Sequence, residues 1–272
     1  MIHGMNHHPF LVTGATDGIG FETALALGRA GCAVIVHGRT ADKAKLAAEN
    51  LTRMVPGVSV RAVHADFQLF EEVRALAKRL QAAGATLGGV IHNAGAVFRS
   101  RVVTSDGWEG TWQVNHLAPF LLHQLVAPLL SSGARVVWVS SMLHTRGVIP
   151  WDDFNREREF DGISAYNASK LANVLTAFRI ARSHPRSSLS SFALHPGVVG
   201  TKMLKQAFGM DGMSPSDGAK TSVFAALDAS LEKKTGLWLE SSRVGAASAD
   251  ARDEELQERL WDWTMGALAL NS

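Results

Sequence analysis

Short apolar runs recur along this chain of 272 residues, with segments of helical length and composition between them. The runs lie near residues 10–13, 33–37, 58–64, 89–92, 135–140, 190–194 and 237–239. A strand with one wet face alternates apolar and polar side chains, whereas a continuous apolar run suits a strand covered on both faces. Segments 21–30, 41–53, 70–83 and 107–130 read as the covering helices. This alternation predicts an α/β fold: a doubly wound parallel sheet of about seven strands with helices on both faces. No repeat, low-complexity block or linker interrupts it, so a single domain is expected over residues 1–272. Right-handed crossovers then gather the C-terminal strand ends on one edge, where such sheets bind ligands.

Polar and glycine residues collect at that edge. Gly14, Gly18 and Gly20 follow the first strand with the spacing G-x3-G-x-G and open a helix. A strand–glycine turn–helix brings backbone N–H groups against the pyrophosphate of a dinucleotide. Asp66 follows the third strand, Asn93-Ala94-Gly95 the fourth, Ser140 and Ser141 the fifth, and His195-Pro196-Gly197 the sixth.

Downstream lies the chain's single tyrosine, Tyr166, four residues before Lys170. Four residues are about one helical turn, so both side chains leave the same helix face. A free phenol titrates near pH 10 and is a poor acid or base at neutrality. A fixed cation nearby favours the phenolate, so this pair is expected to have a lowered phenol pKa suited to proton exchange with a carbonyl or alcohol oxygen.

Composition excludes several other classes. The net charge of +2 gives no field that would gather nucleic acid or an anionic membrane. The lone Cys32 rules out an internal disulfide and fits a small core residue in a reducing, cytoplasmic setting. No secretory signal or membrane anchor is expected. Residues 117–130 are apolar but are broken by Pro119, His123, Gln124 and Pro128. His3, His7 and His8 read as a frayed tail, and no metal site is expected.

In order, Thr13-Gly14-x3-Gly18-Ile19-Gly20, Asp66, Asn93-Ala94-Gly95, Asn115, Ser141, Tyr166-x3-Lys170 and Pro196-Gly197 resemble the short-chain dehydrogenase/reductase family over nearly the whole length. A narrower resemblance, to its retinol dehydrogenase-like branch, lies in residues 115–122, 139–141 with His144, 169–174, 194–199 and around Arg259-Leu260-Trp261. Well-known animal members of that branch carry an N-terminal anchor that is not expected here. The resemblance implies a Rossmann fold and hydride transfer between a nicotinamide and a small-molecule carbonyl/alcohol substrate. It implies that Tyr166 exchanges a proton with the substrate oxygen. Lys170 would tune Tyr166 and bond the nicotinamide ribose, Ser141 would hold the substrate oxygen, and Asn115 would join a polar relay behind Lys170. Ser140 is the rival serine, the second of such a pair being the family's usual choice.

Cofactor choice turns on the end of the second strand, Val34-Ile35-Val36-His37-Gly38-Arg39-Thr40. NAD enzymes of this type place a carboxylate there to hold the ribose hydroxyls. Here Gly38 takes that place, and Arg39 follows with a fork suited to a 2′-phosphate. NADP(H) is therefore expected over NAD(H), with Thr40 and Lys43 assisting. Gly14, Thr16, Asp17, Gly18, Ile19 and Gly20 would form the pyrophosphate turn. Asp66 and Phe67 would flank the adenine, and Asn93, Ala94 and Gly95 would run beside the adenosine ribose. Pro196, Gly197 and Val199 would border the nicotinamide, with Thr201 near the carboxamide or pyrophosphate.

Two segments are expected to frame an apolar aldehyde or ketone. One is 142–163, with His144, Trp151 and Phe154; the other is a substrate loop at 198–214, rich in methionine. His144 could bond substrate or serve the structure. Leu171, Leu175 and Phe178 repeat at helical spacing and could form a homodimer seam or pack inward. A catalytically silent NADP(H)-binding sensor or scaffold is the alternative function. Such relatives typically lose the Tyr or Lys, and both are present. A light-dependent ring reductase would rely on active-site cysteines, and Cys32 is the only thiol.

Overall fold

A computed structural model describes residues 8–184 and 188–270, which leaves His3 and His7 outside the described residues. The elements run β1 (Phe10–Val12), α1 (Gly18–Arg29), β2 (Val34–Gly38), α2 (Ala41–Met54), β3 (Val60–His64), α3 (Phe70–Ala82) and β4 (Leu87–His92). They continue with α4 (Gly110–Trp112), α5 (Ala118–Val126), β5 (Leu130–Val139), α6 (Gly162–Ser183), β6 (Leu189–His195), α7 (Lys202–Phe208) and α8 (Pro215–Leu227). β7 (Leu237–Glu240), β8 (Arg243–Gly245), α9 (Ala249–Arg252) and α10 (Glu254–Ala267) complete the chain.

The strands form one sheet in the order β3-β2-β1-β4-β5-β6-β7-β8, parallel except for the β7–β8 pair. The chain reverses its winding between β1 and β4, and the crevice above a sheet binds ligand at such a switch point. Two apolar layers flank the sheet. Leu25, Leu27, Ala47, Leu51 and Ala225 from α1, α2 and α8 cover one face. Val73, Leu76, Leu80, Leu121, Leu122, Leu171 and Leu175 from α3, α5 and α6 cover the other. Burying side chains of this size contributes roughly 1.5–3 kcal/mol each relative to exposure.

Among the described residues the sheet has eight strands, one more than the apolar runs predict. β8 is a three-residue, largely exposed edge strand. It is joined to β7 by Ser241 and Ser242, which both have positive φ, 49° and 54°. Hairpin turns of that shape normally announce themselves with Asn-Gly or Gly, and a Ser-Ser pair does not. The predicted helix at 107–130 also differs. It starts only at α4, passes through a π-helical turn at Gln113–Leu117, resumes as α5, and ends in a 3-10 turn at Ala127–Leu129.

α6 carries Tyr166 and Lys170. Asp161 caps it by accepting from the Ser164 N–H at 2.8 Å, a device worth about 1 kcal/mol. α10 packs across its outer side. Arg182 pairs with Glu258 at 2.6 Å, and Arg179 lies 4.9 Å from the Trp261 ring centre. Leu171, Leu175 and Phe178 are accordingly buried within the chain, so they offer no exposed dimer seam. Among the described residues, no helix is long and apolar enough to cross a membrane.

Candidate active site and nucleotide cavity

Three strand ends build one side of the site. The Thr13 hydroxyl accepts from the N–H groups of Asn93 and Ala94, at 2.9 and 3.0 Å. The Asn93 amide donates back to the Thr13 carbonyl at 2.8 Å. Asn93 is therefore a clasp between β1 and β4, and its side chain is committed to the protein. Gly20 lies beneath this clasp. A Cβ there would fall 2.3 Å from the Gly14 carbonyl oxygen and 2.4 Å from Asn93 Nδ2, which leaves room only for hydrogen.

A cavity of about 190 Å³ opens above. Gly14, Thr16, His37, Arg39, Asp66, Phe67, Ala94 and Gly95 are among its lining residues. All of these except His37 are residues expected from the sequence to contact the cofactor. Three expected contact residues have other tasks. Thr40 caps α2 by accepting from Lys43 N–H at 3.4 Å. Asp17 caps α1 by accepting from Gly18 N–H at 2.8 Å. Asp17 also pairs at 2.5 Å with Lys202 at the start of α7, and that hydrogen bond is the main reason its carboxyl titrates below the usual range. Thr201 caps α7, accepting from Leu204 N–H at 3.2 Å, and its Cγ2 would stand 3.3 Å from a Cβ on Gly18. The segment after β6 is thereby drawn over the glycine turn. Within it, Gly200 N–H donates to Met213 at 2.9 Å and Met213 N–H to Val198 at 2.9 Å, closing the 198–214 loop at its base around the buried Val199. Gly197 has φ 93°, and Met213 lies against its open side. Ile19 faces α8, where its Cγ1 would meet a Cβ on Gly218 at 3.3 Å.

Beyond the cavity, Tyr166 is buried and its side chain hydrogen-bonds that of Ser141. Lys170 Nζ lies 5.4 Å from the Tyr166 ring centre and donates to the Val139 carbonyl at 3.0 Å. A Cβ on Gly95 would stand 3.5 Å from that ammonium, so the end of β4 passes directly beside it. Asn115 sits on the π-helical turn. Its amide donates to Ala96 O at 2.9 Å and Ser169 Oγ at 3.0 Å, while its oxygen accepts from Ala96 N–H at 2.7 Å. π-turns of this kind often occur at functional sites. Ser140 donates to the Lys170 carbonyl at 2.7 Å, so it braces the helix and leaves Ser141 to face the phenol.

The phenol departs from the expected direction. Burial pushes the Tyr166 pKa up to about 12, and the Ser141 hydrogen bond offsets only part of this. Burial likewise pushes Lys170 down to about 8. Loss of hydration outweighs the attraction of a cation held against a backbone carbonyl.

The lysine shift has a stability consequence. At pH 7 Lys170 is charged in both the folded and the unfolded chain, and the folded form bears the cost of its lost hydration. As pH rises through about 8 the folded state releases the proton, whereas the unfolded lysine holds it to about 10.5. Stability from this residue thus rises with pH over that window. Lys170→Met should raise Tm at pH 7 by roughly 3–6 °C. The advantage should shrink steadily toward pH 10.5, as read by thermal unfolding at four or five pH values.

Two aromatic side chains of segment 142–163 pack against α10. Phe154 stacks on Trp263 at 3.5 Å, and Trp151 meets Phe154 edge-on while its ring face carries Arg259. His144 accepts from Ser248 N–H at 3.2 Å through Nε2, so Nδ1–H donates to the Ser141 carbonyl at 2.8 Å. It serves the loop that presents Ser141, while Trp151 and Phe154 pack on residues of α10.

The family profile described as short chain dehydrogenase matches residues 9–211. Among curated relatives, "Putative daunorubicin C-13 ketoreductase DnrU" of Streptomyces sp. (strain C5) is 34% identical, covering 97% of this chain and 94% of its own. Human retinol dehydrogenase 11 is also 34% identical, over 96% of this chain and 85% of its own. A Shigella flexneri 2a short chain dehydrogenase solved in complex with NADP superposes with a TM-score of 0.73 at 27% identity. That match covers 88% of this chain and 98% of the Shigella chain. The chain is therefore an oxidoreductase of the short-chain dehydrogenase family, in its retinol dehydrogenase-like branch, on a fold that binds a nicotinamide cofactor.

Proposed function

We propose that the protein interconverts an apolar aldehyde or ketone and its alcohol with NADP(H), and that Tyr166 is the general acid/base. The observation that carries this reading is the buried Tyr166–Lys170 pair beyond the cavity: Tyr166 is hydrogen-bonded to the half-buried Ser141, with Lys170 Nζ 5.4 Å from the phenol ring centre. The residues around the cavity suit the cofactor. Arg39 supplies a cation for a 2′-phosphate, Asp66 and Phe67 border the adenine side, and Ala94 and Gly95 leave an open wall for the ribose. The first turn of α1 offers backbone N–H groups to the pyrophosphate. Pro196, Gly197, Val199 and Thr201 would border the nicotinamide end. When bound, the nicotinamide supplies or accepts the hydride.

Tyr166 then donates its proton to the carbonyl oxygen in reduction and recovers it in oxidation. Ser141 holds that oxygen beside the phenol. Lys170 would hydrogen-bond the nicotinamide ribose, and Asn115 fixes the neighbouring loop at Ala96. Apolar substrates are favoured by Met142, Val198, Met210 and Met213, each at least 40% exposed, on the two segments that flank the site. The names of the relatives, a retinol dehydrogenase and a daunorubicin C-13 ketoreductase, point the same way. The intact Ser141–Tyr166–Lys170 set favours catalysis over a silent sensor. The buried Cys32 thiol, which burial pushes up and makes less reactive, suits a reducing, cytoplasmic setting.

The test is NAD(P)H absorbance at 340 nm over a panel of aliphatic, aromatic and retinoid aldehydes and polycyclic ketones. Turnover should occur with apolar carbonyls, and kcat/KM with NADPH should exceed that with NADH by at least about tenfold, the value of one charge-assisted hydrogen bond. Binding of NADPH without turnover on any carbonyl would overturn the catalytic reading. Equal kcat/KM with both cofactors would overturn the preference.

A further inference from the structure

Between the glycine turn and the third strand lies a histidine that the chemistry above does not use. His37 is the penultimate residue of the buried strand β2 and is 3% exposed. Gly14 N–H donates to its Nδ1 at 3.1 Å. A backbone N–H can only donate, so Nδ1 must accept and the ring proton must reside on Nε2. Nε2–H then donates to the Ala65 carbonyl, also at 3.1 Å. Only this neutral tautomer satisfies both neighbours. Burial agrees with it, pushing the imidazole down to about 4.

The ring thus joins three strand ends. The His37 backbone carbonyl also accepts from Ala15 N–H at 2.9 Å, so both N–H groups that begin the glycine turn point to this residue. On the opposite side, Ala65 leads into Asp66 and Phe67, and the Phe67 ring stacks on the imidazole with centres 4.8 Å apart and planes 30° apart. Gly14 and Phe67 both line the nucleotide cavity, and the imidazole contacts each of them. Their separation is fixed by what stands between them, which is the imidazole.

We propose that His37 is a positioning residue: its imidazole holds the glycine turn and the β3 end at the spacing that an adenine nucleotide requires. The inference rests on the NADP(H) reading above. Removal of the imidazole should loosen the adenosine side of the cavity and leave the Ser141–Tyr166–Lys170 end unchanged. The signature is a cofactor-binding defect without a chemical one.

Two variants test it. His37→Leu removes both hydrogen bonds. His37→Asn places an amide oxygen near the former Nδ1, where it can still accept from Gly14, but is too short to reach Ala65. Binding of NADPH and of adenosine 2′,5′-bisphosphate is measured by fluorescence titration and calorimetry, alongside steady-state kinetics. For His37→Leu, Kd for both nucleotides should rise at least about tenfold, with kcat at saturating NADPH within threefold of wild type and the carbonyl KM unchanged. His37→Asn should fall between the two. A folded His37→Leu protein with nucleotide Kd within twofold of wild type would overturn the proposal. So would a loss confined to kcat. If His37→Leu does not fold, His37→Asn decides alone: a rise of about threefold or more is expected, and an unchanged Kd refutes the role. Should wild type bind NADH and not NADPH, the cofactor preference fails separately, and the same comparison is read with NADH and adenosine 5′-diphosphate.

Discussion

Tyr166→Phe should lower kcat for carbonyl reduction by roughly 10²–10⁴-fold, the range that general acid/base help provides. The substitution removes one oxygen and keeps the ring that fills its place beneath Lys170. The hydroxyl is buried and bonded to Ser141, so the fold loses one hydrogen bond worth about 1 kcal/mol, and Tm should move by only a few degrees. NADPH affinity should hold, because the cavity proposed for the adenosine is lined by residues at and just beyond the ends of β1, β2, β3 and β4 and not by Tyr166. The pH profile adds a second check. With the phenol pushed up to about 12 by burial, Tyr166 is a neutral proton donor throughout the working range. Reduction should therefore show no loss from tyrosine ionisation below pH 10, and any alkaline limb nearer pH 8 belongs to Lys170. A well-folded Tyr166→Phe enzyme that retains more than about a tenth of wild-type turnover would refute the assignment.

The parts of this architecture that could be read from sequence are those where one local rule governs. Continuous apolar runs mark strands covered on both faces, and the described parallel strands lie close to those runs. Glycines at 14, 18 and 20 mark a turn, and the clash of a Cβ at Gly20 with Gly14 O and Asn93 Nδ2 is the packing reason for one of them. The features that escaped depend on contacts between distant segments. β8 needs two serines at positive φ, an arrangement that composition does not announce. The π-turn around Asn115 depends on the amide's three bonds to Ala96 and Ser169, residues 19 and 54 positions away. His37 looks in sequence like another apolar strand position. Its one local signal is a titratable ring ending a buried run, immediately before the glycine that replaces an acid. The Tyr166 shift runs opposite to the sequence expectation for a related reason. Helical spacing places Lys170 near the phenol, but spacing carries no information on how completely both groups are removed from water. Segment 142–163 offered aromatic side chains, and only the position of α10 reveals that Trp263 claims them.

Gly38→Asp is the substitution that would be chosen to convert an NADP enzyme into an NAD enzyme, and it should fail here. The position lies at the end of β2, where a carboxylate would meet the ribose hydroxyls. A Cβ on Gly38, however, would stand 2.5 Å from Thr16 Cγ2, 3.0 Å from Ala44 N and 3.2 Å from Ala44 Cα. Thr16 belongs to the glycine turn and Ala44 to the first turns of α2, so any side chain must displace one wall of the cavity. Thr16 is branched at Cβ and cannot swing its methyl far, and the Ala44 contact is backbone. Overpacking of this kind costs about 1–3 kcal/mol, and the new carboxylate would also repel a 2′-phosphate. Gly38→Asp should therefore reduce kcat/KM with NADPH by more than about 100-fold without raising kcat/KM with NADH. Arg39→Ala separates charge from shape. It leaves the cavity wall intact and should cost roughly tenfold to a hundredfold with NADPH only, the worth of 1.5–3 kcal/mol in charge-assisted bonding. The two variants, assayed side by side with both cofactors, distinguish the contributions. A gain in NADH efficiency for Gly38→Asp with an unchanged Tm would mean that Thr16 and α2 yield at no cost, and that Arg39 alone sets the preference.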